Sequence, residues 1–243
     1  MSTPIAISFD VDGTLGKQSS QINEKNLAAN AMADHIVPLK GDQYGDFIFY
    51  KGIIPLLQKV HDLSKQHKDV HIMISTAGFP VPGAADRNQM IIKYVNDVLG
   101  RVNNPVPLYD VRYQAFHPKD IKEAKEGKLD DGSSAGKQWQ EWFTNLFEVY
   151  PVNELYIVDE QALPFKHYYY RDHQVILDRH PTSYPHLTLD NIIHIDDSPR
   201  TVVTLNPDNV NVQLLTVDRD HQDKIAECDL VFSKIEAFVK ARR

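Results

Sequence analysis

Short apolar runs of strand length alternate along this chain with longer segments whose apolar residues recur at helical spacing. The first run is Ile5–Phe9, and residues 70–74 form a second one. Between them, apolar residues recur every three or four positions over residues 53–63, which is typical of an amphipathic helix. Further strand candidates are residues 47–50, 155–158, 175–177, 192–195 and 212–217. The alternation predicts an α/β fold, with a Rossmann-like parallel sheet that has helices on both faces.

One polar segment interrupts the alternation. Residues 103–136 hold few apolar side chains, and their second half is rich in lysine, acidic residues, glycine and serine. A mobile surface loop and an inserted cap or lid both fit this composition, because long loops in compact domains are often functional. A length of 243 residues fits one large domain, or one domain with a smaller insert.

Composition and charge limit which binding partners and which cellular compartment are expected for this chain. The net charge is −7 without a lysine- or arginine-dense face, so a nucleic-acid duplex is not an expected partner. Cys228 is the only cysteine, which excludes a disulfide framework and a cysteine-based zinc site. The histidines of the second half, His194 among them, show no metal-ligand spacing and are interpreted as surface or turn residues. Since no signal peptide or membrane span is visible, we expect a cytoplasmic protein with no membrane partner.

The strongest motif follows the first strand. Asp10 and Asp12 lie two positions apart just beyond Phe9, so their side chains are expected to point the same way. Two such carboxylates can divide the work of a hydrolase, with one attacking as a nucleophile and the other moving a proton. A solvent-facing turn also uses Asp and Gly, so this motif alone leaves both interpretations open.

A second apolar strand also ends in carboxylates. Ile192–Ile195 runs directly into Asp196 and Asp197. Because the carboxyl ends of neighbouring parallel strands meet at one edge of a sheet, this pair is expected to converge with Asp10 and Asp12. Four carboxylates do not stay ionised together without a cation. The sequence therefore predicts that these four aspartates form a Mg²⁺ site, where the metal would also hold a phosphate oxygen.

Hydroxyl groups follow the strand at residues 70–74. Ser75 and Thr76 come directly after it. Hydroxyls and free backbone N–H groups at a strand end can bind a phosphate, although Ser and Thr are ordinary at such positions. The phosphate interpretation is favoured because three strands end in complementary chemistry.

These motifs together resemble the haloacid dehalogenase superfamily. The box from Asp10 to Thr14, the Ser75-Thr76 pair and the Asp196-Asp197 pair occur in the order and strand context of that superfamily. An aspartate at position 12 is similar to its phosphatases and phosphomutases. The resemblance implies a single domain over residues 1–243, with an inserted cap or loop segment at approximately residues 85–150.

The resemblance also implies a role for each motif. Asp10 would attack phosphorus and form an aspartyl-phosphate, while Asp12 would protonate the leaving oxygen and then activate water. Ser75 or Thr76 would bind the transferred phosphoryl group. The implied metal ligands are the Asp10 carboxylate, the Asp12 carbonyl, and Asp196 or Asp197.

A cation is also implied upstream of the last acidic motif, where the superfamily places a lysine or arginine that neutralises the phosphoryl charge. Arg179 lies two residues beyond the strand candidate at residues 175–177 and would form a forked, permanently charged clamp. Lys166 lies farther from Asp196, and Lys119 is a third candidate if the insert folds over the site. We expect Arg179 rather than Lys166.

A narrower resemblance concerns protein phosphatases that act on the carboxy-terminal domain of RNA polymerase II. It is based on residues 51–52, 76–78, 169–173 and 195–199, and Gly13 departs from the acidic residue that those phosphatases carry. It implies that Asp197 is the metal ligand and Asp196 its supporter. It also implies that the substrate is a phosphorylated protein.

Three functions fit these motifs. The first is a Mg²⁺-dependent phosphatase that acts on a phosphoprotein, through phosphotyrosine or phosphoserine, or on a small molecule. The second is a phosphomutase or nucleotidase of the same superfamily. The third is a catalytically silent binding module, against which the intact aspartates argue.

Overall fold

The structure is a computed structural model that describes residues 3–21, 36–76, 78, 81–84, 86–113, 115–157, 187, 191–197, 211–213 and 225–243. In chain order the strands are β1 (Ile5–Phe9), β2 (Gly16–Gln18), β3 (Ile36–Val37), β4 (Phe47–Phe49), β5 (Val70–Ser75), β6 (Leu108–Tyr109), β7 (Ala115–Phe116), β8 (Tyr156–Ile157), β9 (Ile192–Ile195) and β10 (Asn211–Gln213). The α-helices are α1 (Ile53–Gln66), α2 (Arg87–Leu99), α3 (Pro118–Lys125), α4 (Ser134–Val149) and α5 (Ile225–Ala241). Short 3₁₀ helices span Ser19–Gln21, Val111–Tyr113 and Val152–Glu154.

A five-stranded sheet forms the centre of the described fold. Its order is β10-β9-β1-β5-β6, and every neighbouring pair is parallel. The prediction of an α/β fold with a parallel sheet is therefore confirmed. β1 lies in the middle of the sheet and is buried along its whole length. Since the carboxyl ends of parallel strands share one edge, the residues that follow β1, β5 and β9 meet there.

Three helices share a core with one face of this sheet. The apolar stripes of α1, α2 and α5 pack in one cluster with Ile5, Ile7 and Phe9. These three residues lie on the same face of β1, because side chains alternate along a strand. The expected helices on the opposite face stay a prediction. None of the helices in the described ranges is long and apolar enough to cross a membrane.

A small antiparallel sheet of order β2-β4-β3 follows the aspartate motif. β4 corresponds to the strand predicted over residues 47–50. Its two phenylalanines, Phe47 and Phe49, are buried with ring centroids 5.2 Å apart. The backbone N–H of Tyr50 donates to the carbonyl of Leu15, which holds this sheet against the loop after β1.

The segment predicted as an insert, approximately residues 85–150, divides into two parts. Its first part, α2 and β6, belongs to the central sheet and its core. Its second part, with β7, α3 and α4, has a hydrophobic cluster of its own that includes Phe116, Phe143 and Leu146. Arg112 joins the two parts, because its guanidinium donates Nε and Nη2 to the buried carboxylate of Asp110, directly after β6, and also lies 4.8 Å from the ring centre of Tyr150 in the second cluster. The polar segment at residues 103–136 thus contains ordered elements around a second core.

Candidate functional site

Asp10 lies at the carboxyl edge of the central sheet, one residue beyond β1. Phe9 pairs with Ile195 of β9, and the backbone N–H of Asp10 donates to the carbonyl of Ile195 at 2.9 Å. The ladder therefore continues past the last residue of β1 and brings Asp10 beside Asp196. Both side chains are buried, with Asp10 5% and Asp196 0% exposed.

Three carboxylates gather at this edge. Oxygen atoms of Asp10, Asp196 and Asp197 all lie within 4.8 Å of one another. Carboxylates this close, two of them buried, repel one another unless a cation lies among them. Hard oxygen donors of this kind fit Mg²⁺ or a similar divalent cation. The Asp12 carboxylate lies outside the group, so three of the four predicted carboxylates come together.

The tight turn after Asp12 makes room for Asp197. Gly13 has a φ of 81°, a conformation that favours glycine. A Cβ atom added there would lie within 2.8 Å of the carboxylate atoms of Asp197. The backbone N–H of Asp197 in turn donates to the hydroxyl of Thr14 at 2.9 Å. Gly13 and Thr14 therefore position the third carboxylate, a role that the sequence pattern alone did not reveal.

His194 holds Asp196 from inside the sheet. Its Nε2 lies 3.0 Å from Oδ2 of Asp196, and its Nδ1 lies 3.0 Å from the hydroxyl of Ser8 on β1. All three residues are fully buried. The interpretation of His194 as a surface or turn histidine is therefore wrong. The available signal was a single polar residue inside an apolar strand, two positions before Asp196 and hence on the same face.

Ser75 and Thr76 lie at the same edge, with different surroundings. Phe9 pairs with Ile74, so Ser75 is level with Asp10 across the neighbouring strands. The Ser75 hydroxyl is buried and has no hydrogen-bond partner among the described residues. The Thr76 hydroxyl accepts from the backbone N–H of Gly78 at 3.1 Å, which forms a local turn.

Arg87 contacts the second aspartate of the motif. Its Nη2 lies 2.5 Å from Oδ1 of Asp12, and the Arg87 side chain is only 8% exposed while that of Asp12 is 41% exposed. Arg87 is the first residue of α2, a helix that Asp86 caps by accepting from the backbone N–H of Gln89. A Cβ atom at Gly78 would lie 2.9 Å from Nη1 of Arg87, so a glycine there lets the guanidinium approach. No motif in the sequence connects Arg87 with Asp12.

The predicted phosphate-clamping cations have different positions. Arg179 and Lys166 lie outside the described residues. Lys119 lies in the first turn of α3 with an exposed side chain, and its Nζ is 3.7 Å from Glu123. Among the described residues, Arg87 forms an ion pair with Asp12, and the His194 ring contacts Asp196.

Comparison with protein-family models and with curated proteins finds no match for this chain.

Proposed function

We propose that this protein is a Mg²⁺-dependent phosphatase of the haloacid dehalogenase type, which hydrolyses phosphate monoesters through an aspartyl-phosphate on Asp10. One observation carries the proposal. Three carboxylates, from the buried Asp10 and Asp196 and the partly buried Asp197, gather at the carboxyl edge of a parallel sheet, and the half-exposed Asp12 follows two positions after Asp10. Ligands of open α/β sheets bind at this edge.

The two aspartates of the motif have different roles in the first chemical step. A carboxylate oxygen of Asp10 attacks phosphorus, the bond from phosphorus to the leaving oxygen breaks, and Asp12 gives a proton to that oxygen. In the second step Asp12 takes a proton from water. The water oxygen attacks phosphorus, and the bond to Asp10 breaks to release inorganic phosphate. The exposure of Asp12 suits a residue that exchanges protons with both a leaving group and water.

The remaining residues hold the phosphoryl group. When bound by Asp10, Asp196 and Asp197, the metal supplies positive charge to the phosphoryl oxygens. The buried Ser75 hydroxyl, level with Asp10, is able to donate to one of these oxygens. Arg179 or Lys166 would complete the charge balance, as the resemblance to the superfamily implies.

Hydrolysis of a panel of phosphate monoesters tests the proposal. The panel contains p-nitrophenyl phosphate, nucleotides, sugar phosphates, and phosphotyrosine and phosphoserine peptides, each measured with Mg²⁺ and with EDTA. We expect metal-dependent turnover that Asp10→Asn lowers at least about a thousandfold. Asp62→Asn, an exposed aspartate on α1, is the matched control. Absence of turnover on every ester would favour the binding module, and wild-type turnover by Asp10→Asn would exclude Asp10 as the nucleophile.

A further inference from the structure

A cleft of about 400 Å³ lies between α4 on one side and the segments that follow β3 and β5 on the other. One wall carries Tyr44, Gly78 and Arg87, and the opposite wall carries Gln138, Glu141 and Trp142. Arg87, which lines the cleft, also contacts Asp12, the proposed proton donor. One side of the cleft is therefore close to the position of the leaving oxygen. A group attached to the leaving oxygen of a bound ester would extend into this space.

The Arg87 guanidinium, which lines this cleft, does not use all of its hydrogen-bond donors among the described residues. Its Nη2 donates to Asp12, but its Nε is buried and has no hydrogen-bond partner among the described residues. A buried donor without an acceptor costs free energy, and a charged donor costs more than a neutral one. A planar acceptor that reaches two N–H groups of the fork would remove this cost, and a carboxylate has that geometry.

The contact with Asp12 sets a condition on turnover. In the proposed reaction Asp12 must direct its carboxyl toward the leaving oxygen, yet in this structure Oδ1 accepts from Arg87. An anionic group on the substrate would take over the guanidinium and release Asp12 for proton transfer. Glu141 on the opposite wall disfavours a doubly charged second phosphate more than a singly charged carboxylate.

We propose that this cleft is a subsite for the leaving group and that Arg87 binds a carboxylate there, so that the substrates are phosphate monoesters of hydroxy acids. The inference rests on the proposed phosphatase function and adds the class of its substrate. Arg87 is then a specificity-determining residue, which selects esters by a group remote from the phosphoryl being transferred.

The test compares two esters that share a three-carbon skeleton, 3-phosphoglycerate and glycerol 3-phosphate, which differ in whether a carboxylate is present. We expect the wild type to prefer 3-phosphoglycerate at least tenfold in kcat/KM. Arg87→Met should lower kcat/KM for 3-phosphoglycerate at least tenfold more than for glycerol 3-phosphate, and Arg87→Lys should recover part of the preference. Lys93→Met removes an exposed positive charge from the same helix and should leave the preference unchanged.

Equal losses on both esters overturn the inference, because a misplaced Asp12 or a damaged fold lowers the two rates alike. Failure of the proposed function is distinguishable, since the wild type would then hydrolyse neither ester. In that case calorimetric titration of the same two esters decides. Tighter binding of 3-phosphoglycerate that depends on Arg87 retains the subsite, and equal or absent binding overturns it.

Discussion

The backbone N–H of Asp197 donates a 2.9 Å hydrogen bond to the hydroxyl of Thr14, which joins the chain after β9 to the loop after β1. Thr14 is fully buried, and Gly13 beside it leaves space for the Asp197 carboxylate. Two segments far apart in sequence thus fix one potential metal ligand. The position of Asp197 therefore depends in part on a hydroxyl that lies outside the carboxylate group.

Replacement of that hydroxyl should loosen the site. Thr14→Val keeps the size of the side chain but removes the acceptor, and we expect a loss of about 1 kcal/mol in the free energy of unfolding, with weaker Mg²⁺ binding. Thr14→Ser retains the hydroxyl and serves as the control. Urea denaturation and Mg²⁺ titration check both effects. Indistinguishable Val and Ser variants would show that the hydrogen bond contributes nothing.

Metal binding should stabilise the fold independently of any activity. A ligand that binds only the folded chain adds about 2.7 kcal/mol at a hundredfold excess over its Kd. We therefore expect Tm to rise with Mg²⁺ in the wild type and to change little in Asp197→Asn, which lacks one donor of the group. In EDTA the Asn variant should be at least as stable as the wild type, because it removes one of three mutually repelling charges. A wild-type Tm that does not respond to Mg²⁺ would contradict the assignment of this group as a metal site.

His194 should control metal affinity through Asp196. With its proton on Nε2, the ring donates to the Asp196 carboxylate and accepts from the Ser8 hydroxyl. Removal of such an outer partner typically costs 10–100-fold in metal affinity, so we expect a loss of about this size in His194→Ala. Ser8→Ala leaves the contact with Asp196 in place and should cost less. Mg²⁺ titrations monitored by thermal stability give both values, and equal affinities in the two variants and the wild type would refute a positioning role.

The central sheet was predictable because two simple rules apply to it. Apolar runs such as Ile5–Phe9 reveal buried strands, and the parallel arrangement brings their carboxyl ends to one edge. Those rules were sufficient to predict that Asp10 and Asp196 lie close together. These two rules do not determine the position of the Asp12 carboxylate. Asp12 lies beyond β1 in a loop whose direction changes at Gly13, so the alternation of strand side chains no longer determines where its carboxylate lies.

The contacts between distant elements were not predictable from patterns. Arg87 begins a helix and Asp12 belongs to a loop, so their ion pair depends on how α2 packs and on the missing side chain at Gly78. Neither has a periodic signature. Likewise, the ordered second core around Phe116 and Phe143 was hidden by the polar surface residues that surround it in sequence. The composition of a segment indicates how much of it is exposed to solvent, but it does not reveal a small core formed by a few widely spaced apolar residues.

Asp86 should make stability depend on pH in a defined direction. Burial raises the pKa of this carboxyl, the nearby charge of Asp110 raises it further, and the hydrogen bond from the Gln89 N–H only partly offsets these effects. The folded chain therefore binds this proton more tightly than the unfolded chain. The resulting stabilisation is complete below about pH 4 and is lost as the pH rises through the native pKa.

Asp86→Asn keeps an oxygen that caps α2 but has no charge to bury, so its stability relative to the wild type should increase from pH 4 to pH 7. Urea denaturation of both proteins across that range measures the difference, and Asp86→Ala, which loses the cap, should be about 1 kcal/mol less stable than Asp86→Asn. A difference between Asp and Asn that does not vary with pH would mean that the carboxyl titrates alike in the folded and unfolded chains.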